Sequence, residues 1–185
     1  MDNGASSYRR FLDGDDCEIA NIVEEFKDGL ILYLNSYVKN IGTAEELAED
    51  TFFRLITKKP KFSGKSSFKS FLYAIGRNVA VDFIRRNSKL SVTTFDDAEN
   101  YIADEQSLEQ AYIKDEFKIS LYKAIETLPV EYATVLWLVY FEGFTNKDVA
   151  TALKKNDRQI KNLLYRAKQS LKTKLEKEGF FYEEL

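Results

Sequence analysis

Apolar residues recur at three- and four-residue spacing along most of this 185-residue chain, a period that predicts helices. In the first half the pattern predicts helices near 16–41, 44–57 and 67–87. The third, "FKSFLYAIGRNVAVDFIRR" (68–86), places Phe68, Phe71, Leu72, Ile75, Val79 and Phe83 on one side as a core stripe. Its other side carries Lys69, Tyr73 and Arg77, and it ends in Arg85 and Arg86. For the second helix, Thr43 is placed to cap and Glu46 to reach back in a capping box. Its core stripe is Leu47, Ala48, Thr51, Phe52 and Leu55, and winding at about 100° per residue sends Phe53 to the far side with Glu46, Glu49 and Asp50.

In the second half, Pro129 suits the first turn of a helix over 130–142 that is apolar nearly all round, from Val135 to Tyr140. That helix is expected to be a buried centre, with Trp137 in the core. A turn at Glu142-Gly143-Phe144 follows, then a short helix, 146–153, capped by Thr145 with Asp148 at its third position. After Lys154-Lys155, Asn156 caps a long helix with Gln159 completing the box. Ile160, Leu164, Ala167, Leu171 and Leu175 form its stripe, opposite Arg158, Lys161, Asn162, Tyr165, Gln169 and Lys172.

Alternating apolar runs bounded by Gly or Pro are missing and there are only 2 prolines, so the chain reads as all-α. The stretch 91–110 is acidic, rich in turn formers and weakly periodic, which makes it a linker with room for a short helix. The resulting architecture is two small helical domains joined by that linker, the C-terminal one a helix-turn-helix.

Charge sharpens this division. The formal net charge is −3, yet residues 1–56 hold 5 basic and 12 acidic side chains, 57–92 hold 9 and 1, 93–117 hold 1 and 8, and 154–174 hold 8 and 1. A phosphate backbone responds to the local field, so two concentrated basic blocks point to nucleic acid despite the overall acidity. With 1 Cys and no His, His-dependent triads and His-containing zinc sites are excluded, and Cys17 cannot form an internal disulfide. No cofactor or metal is expected. The longest purely apolar run, 135–141, is too short to insert in a membrane, and "MDNGASSYRR" lacks an apolar signal region, so a cytoplasmic location is expected.

Between the second and third helices lies "KKPKFSGKSS" (58–67). Its Gly64-Lys65-Ser66 resembles the end of a phosphate-binding Walker loop, but Lys59 stands where that motif needs its first glycine. A cationic loop with Lys61, Phe62 and Lys65, beside Lys69, Tyr73 and Arg77, has the ingredients of a single-strand binder: cations for phosphates and flat rings for bases. The plain alternative is a solubilising surface with Phe62 tucked into the core. The Phe53 face is likewise either a solvated face with one stray ring or a protein-docking site with an acidic rim. Asp82 is expected to pair with Arg86 one turn on. The long basic helix suits a major groove, with base-reading donors at its N-terminal end, although a basic amphipathic helix also suits a membrane surface. The capped short helix before it favours DNA.

At these residues the chain resembles a family of bacterial transcription factors. "AEELAEDTFFRL", "FKSFLYAIGRNVAVDFIRR", and "LPVEYATVLWLVYFEGFTNKDVATAL" followed by "RQIKNLLYRAKQSLK" resemble, in order and across about residues 5–178, an extracytoplasmic-function (ECF) sigma factor of the sigma-70 family. The resemblance implies a region 2-like domain over 1–88, a linker over 89–108 and a region 4-like helix-turn-helix domain over 109–185. It implies that Glu46, Glu49, Asp50 and Phe53 dock on the beta-prime clamp of core RNA polymerase. Lys61, Phe62, Lys65, Lys69, Tyr73, Arg77 and Asn78 would hold the unwound minus-ten strand. Arg158, Gln159, Lys161, Asn162, Tyr165, Arg166 and Lys168 would read the minus-thirty-five duplex. The implied partners are core polymerase, through the beta-prime clamp and the beta flap, promoter DNA and an anti-sigma factor.

Several positions depart from the family pattern. Gly76 stands where many members have Ala, Lys154 where many have Gly, and Leu163 where an Arg is usual, which puts the usual minus-thirty-five contacts in doubt. Ala74 and Ile75 replace the tryptophan pair of the housekeeping relatives, which implies the alternative type that depends on near-consensus promoters. A non-enzymatic initiation factor is therefore expected. One rival is an autonomous helix-turn-helix regulator, which has no use for the Phe53 face or the cationic loop. The other, a nucleic-acid-cutting enzyme, lacks clustered carboxylates, since each basic block holds one acid, Asp82 or Asp157.

Overall fold

A computed structural model describes residues 4–90, 121 and 123–177, and among these every regular element is helical. The chain divides into two compact units, Met1–Tyr112 and Ile113–Leu185. The first contains α1 (Ala5–Leu12), α2 (Glu18–Val38), α3 (Ile41–Lys58) and α4 (Phe68–Leu90). α2 is its centre. Buried residues Ile22, Phe26 and Leu30 through Leu34 cover more than one side of that helix, because α1, α3 and α4 all pack against it.

α3 starts earlier than its sequence predicts. Lys39 adopts a left-handed conformation (φ 55°) that ends α2, and the extended Asn40 then accepts the Thr43 amide on its Oδ1 at 2.7 Å. Asn40, not Thr43, is thus the cap, and Ile41 behind it is buried. The predicted stripe Leu47, Ala48, Thr51, Phe52 and Leu55 is buried throughout.

α4 is rotated from its predicted orientation. Phe68, Leu72 and Val79 are buried as expected, but Phe71, Ile75 and Phe83 are half-exposed, whereas Tyr73 and Ala80 are fully buried. The cause is Gly76. A side-chain carbon there would lie 3.0 Å from Leu30, 3.5 Å from Leu34 and 3.5 Å from Thr51. α4 therefore wedges between α2 and α3 along its small residues, and the large side chain flanking Gly76, Tyr73, is carried inward with them. Ser67 caps the helix by accepting the Ser70 amide at 3.1 Å.

The second unit is built from α5 (Val130–Leu136), a π-helical turn (Trp137–Phe141), α6 (Asn146–Leu153) and α7 (Asp157–Lys177). Pro129 precedes α5, and Val135, Leu136, Trp137 and Leu138 are buried, as the apolar run predicts. Tyr140 is an exception at 47% exposed: the wider π turn advances the chain less far round the axis per residue, which swings it out of the core. Both capping boxes predicted for this unit are present. Thr145 and Asp148 exchange bonds at the start of α6, with Asp148 N to Thr145 Oγ1 at 3.2 Å and Thr145 N to Asp148 Oδ2 at 3.1 Å. Asn156 and Gln159 do the same for α7, both at 2.9 Å. Of the predicted α7 stripe, Ile160, Ala167, Leu171 and Leu175 are buried and Leu164 is half-buried. The linker expected over 89–108 lies, beyond residue 90, outside the described residues.

Candidate protein-docking and nucleic-acid surfaces

The outer face of α3 exists because its inner face is fully used. Burying Leu47, Thr51 and Leu55 turns Glu46, Glu49 and Asp50 to solvent and leaves Phe53 63% exposed among them, with Ile56 beside it at 37%. A ring so exposed contributes little to the fold. Ringed by carboxylates, it can serve as an apolar anchor for a basic partner surface.

The second surface is the loop after α3 together with α4. Lys59 ends α3 in a left-handed conformation (φ 40°), and Lys61 and Lys65 are exposed. Phe62 is half-buried, its ring centroid 5.7 Å from Phe68 and 5.2 Å from Phe71. It therefore has one side on the core, as the plain reading of this loop has it, and the other side open. Lys69, Arg77 and Asn78 are half-buried on α4. Tyr73 does not belong with them: it is fully buried, 4.9 Å from the Tyr33 ring, with Lys69 Nζ 5.9 Å from its own centroid. Contrary to the expectation from sequence, Tyr73 is no strand-contacting ring, since a helix wedged at Gly76 points that side chain into the domain. Tyr33 is equally enclosed, its hydroxyl 3.1 Å from that of Tyr37, and burial drives its pKa well above the tyrosine value. Asp82 differs from expectation too. Its carboxylate faces Arg85 at 3.2 Å and Arg54 at 3.8 Å, while Arg86 Nε donates to its backbone carbonyl at 3.3 Å. Arg54 on α3 reaches it because α3 and α4 pack side by side.

Sequence reading missed α1 altogether. Tyr8 and Phe11, three residues apart and both buried, were the available signal. Tyr8 donates its hydroxyl to the Pro60 carbonyl at 2.8 Å, in the cationic loop. Glu18, at the start of α2, pairs with Arg10 of α1 at 2.8 Å. Its carboxyl is held below the ordinary glutamate value, first by a hydrogen bond from the Ser7 side chain and then by Asn21 and Arg10, against the opposing effect of burial.

The third surface is the outer face of α7. Arg158, Gln159, Lys161, Asn162 and Arg166 are exposed, and Tyr165 is 67% exposed. The Gln159 side-chain oxygen is occupied by the Asn156 amide, so this residue braces the helix start and offers only its NH₂ outward. Lys168 is half-buried, its Nζ 5.4 Å from the exposed Tyr140 ring. Lys154 closes α6 in a left-handed conformation (φ 54°), which sharpens the turn between the two capped helices. A long helix with donors at its N-terminal end and cations along its flanks fits a major groove. Among the described residues no group of three or more Cys, Asp or Glu side chains is arranged to hold a metal, and no helix is long and apolar enough to cross a membrane.

Residues 22–90 match the family described as sigma-70 region 2, and residues 118–171 match sigma-70 region 4. Among curated proteins, the RNA polymerase sigma-H factor of Pseudomonas aeruginosa is 25% identical over 158 residues, covering 81% of this chain and 82% of that protein. The ECF RNA polymerase sigma factor SigX of Bacillus subtilis is 24% identical over 159 residues, covering 84% of this chain and 82% of that protein. Among solved structures, CnrH in complex with the cytosolic domain of CnrY aligns with a TM-score of 0.64 at 17% identity, over 94% of each chain. The sigma factor RpoE in complex with the anti-sigma factor NepR, from Bartonella quintana, aligns with a TM-score of 0.63 at 21% identity, over 84% of this chain and 97% of that one. At these identities the structural likeness is one of fold.

Proposed function

This chain belongs to the sigma-70 family, in its ECF group, and from that premise we propose how its surfaces divide the work of selecting a promoter. The protein directs core RNA polymerase to specific promoters and starts transcription there, without catalysing a reaction or needing a cofactor itself. Residues 1–88 act as the region 2 domain, 89–108 as the linker and 109–185 as the region 4 domain. Phe53, with Glu46, Glu49 and Asp50, docks on the beta-prime clamp. Lys61, Phe62, Lys65, Lys69, Arg77 and Asn78 hold the opened minus-ten strand. Arg158, Lys161, Asn162, Tyr165, Arg166 and Lys168, steadied by Gln159, read the minus-thirty-five duplex while the region 4 domain sits by the beta flap. The work is cytoplasmic, and an anti-sigma factor that covers these faces is the natural means of silencing it; the similar sigma factor RpoE is solved in complex with one, the anti-sigma factor NepR.

Phe53 carries the reading. An autonomous helix-turn-helix regulator binds duplex by itself and gains nothing from a phenylalanine 63% exposed on a different unit of the chain, whereas a subunit that must be tethered to an enzyme needs such an anchor. The test is in vitro transcription by core polymerase with and without this protein, with start sites mapped by sequencing. New, sequence-specific start sites that depend on the protein are expected. Tight, specific duplex binding without polymerase and no effect on start sites would favour the autonomous regulator.

A further inference from the structure

α1 converges on the loop that follows α3. Its start is pinned: Gly4 has φ 81°, and a side-chain carbon there would fall 2.7 Å from Phe26 and 2.8 Å from Phe68, so the backbone meets those rings at a distance only glycine permits. Its end is tied to α2 by the Arg10–Glu18 pair. Between these points Tyr8, fully buried, donates its hydroxyl to the carbonyl of Pro60, 52 residues away in sequence. The Tyr8 ring lies 5.1 Å from Phe68 and 6.0 Å from Phe71, the same two rings on which Phe62 rests. Lys59 Nζ sits 4.6 Å from the Phe11 centroid. The Arg9 guanidinium comes within 3.9 Å of where a Gly64 side-chain carbon would be, and no carboxylate pairs with Arg9 among the described residues.

The loop has little else to hold it. Two left-handed residues, Lys59 and Gly64, bend it. Pro60 has no amide to donate, and among the described residues 61–66 make no hydrogen bond with the rest of the chain. Beyond the Phe68 and Phe71 rings under Phe62, its placement is therefore set from α1. We propose that α1 positions the promoter-gripping loop, with Tyr8 as the positioning residue that fixes Pro60 and hence where Lys61, Phe62 and Lys65 meet the opened strand. Arg9 adds one more cation beside Gly64. Burial pushes the Tyr8 pKa up to about 12, so the hydroxyl stays a donor at any ordinary pH. This inference rests on the strand-gripping role proposed above.

The test uses the full chain with Tyr8→Phe, which keeps the ring and removes the bond, beside a Lys61→Ala/Lys65→Ala loop variant. Limited trypsin cleavage after Lys61 and Lys65 is timed in the free protein. Binding of consensus and scrambled minus-ten single-stranded oligonucleotides is measured with core polymerase. Losing one net hydrogen bond should speed loop cleavage by about two- to tenfold, and the consensus-to-scrambled ratio should fall by a similar factor. Affinity for core polymerase should not change. Unchanged cleavage and an unchanged ratio overturn the proposal. Faster cleavage with an unchanged ratio, while the loop variant binds strand poorly, overturns the positioning role but leaves the loop's grip intact. A loop variant that binds strand as well as the parent rejects the gripping role, and the inference falls with it whatever the cleavage shows.

Discussion

Replacing Tyr73 with alanine separates a core residue from a DNA-reading one. Its side chain is fully buried beside Tyr33, so truncation removes a large aromatic from a packed interior, at a cost of about 3 to 5 kcal/mol by comparison with other buried aromatics. A domain of the first unit's size has a total stability of about 4 to 13 kcal/mol. Tyr73→Ala should therefore remove about a quarter or more of it. With a urea slope of about 1 to 3 kcal/mol per M, the unfolding midpoint of that unit should drop by about 1 to 5 M. The assay can be made unit-specific, because the chain has one tryptophan, Trp137, and it sits in the core of the second unit. Far-UV circular dichroism follows both units, whereas tryptophan fluorescence follows the second. The expected result is an early dichroism transition that moves while the fluorescence transition stays. Tyr73→Phe keeps the ring packing and should move the early transition far less. A Tyr73→Ala protein with an unmoved early transition and sharply weaker minus-ten strand binding would refute this placement and restore Tyr73 to the reading surface.

Phe53→Ala should leave stability within about 0.5 kcal/mol, as exposed positions do, but lower affinity for the beta-prime clamp by about 2 kcal/mol or more if the ring is the anchor; a pull-down with equal affinity rejects the docking role. Arg158→Ala should cost about 1 to 3 kcal/mol of minus-thirty-five discrimination if the guanidinium makes a bidentate base contact. Equal loss on scrambled duplex in a competition assay would instead make it a phosphate contact. Lys154→Gly relieves a left-handed residue at the end of α6 and should raise the urea stability of the second unit by about 1 kcal/mol, read from Trp137 fluorescence; a decrease would contradict that strain. For Tyr8, the folded state keeps its proton to about pH 12 against an ordinary value of 10.0, so between those values the unfolded chain releases a proton that the native one retains. Its contribution is complete below pH 10 and lost as pH rises toward 12, and Tyr8→Phe should flatten the fall in urea midpoint over that range.

The elements most legible in the sequence were those whose determinants are local. The Thr145/Asp148 and Asn156/Gln159 boxes act within three residues, so letters alone mark the starts of α6 and α7. The outer face of α7 was legible because the apolar stripe through Ile160, Ala167, Leu171 and Leu175 fixes it. α4 was misread because its orientation is decided by what is small. Counting large apolar residues passes over Gly76, Ser70 and Ala80, yet these let α2 and α3 approach, and Tyr73 follows them inward. At the start of α3 the cap is Asn40 rather than the predicted Thr43, because the left-handed Lys39 before it ends α2 and Ile41 after it is buried. α1 escaped because eight residues carry too few periods to stand out, although Tyr8 and Phe11 were there to be read.

Moving Tyr73 inward changes what the proposed strand-binding surface is made of. A pair of rings, one on the loop and one on α4, would have let two successive bases stack, each contributing about 1 to 3 kcal/mol. Phe62 remains, and it is half-buried because Phe68 and Phe71 hold one side of it. That arrangement limits it to one open face but spares it the entropy of fixing a free side chain, since the core already holds the ring. The rest of the grip falls to Lys61, Lys65, Lys69 and Arg77, whose attraction to phosphates carries no sequence information. In the proposed role, base selectivity at the minus-ten element therefore falls to the few polar groups that reach base edges, because ring stacking accepts any base. A single wrong base there removes a large share of the discriminating energy. This gives a physical basis, independent of the missing tryptophan pair at Ala74 and Ile75, for a protein of this kind to depend on near-consensus promoters.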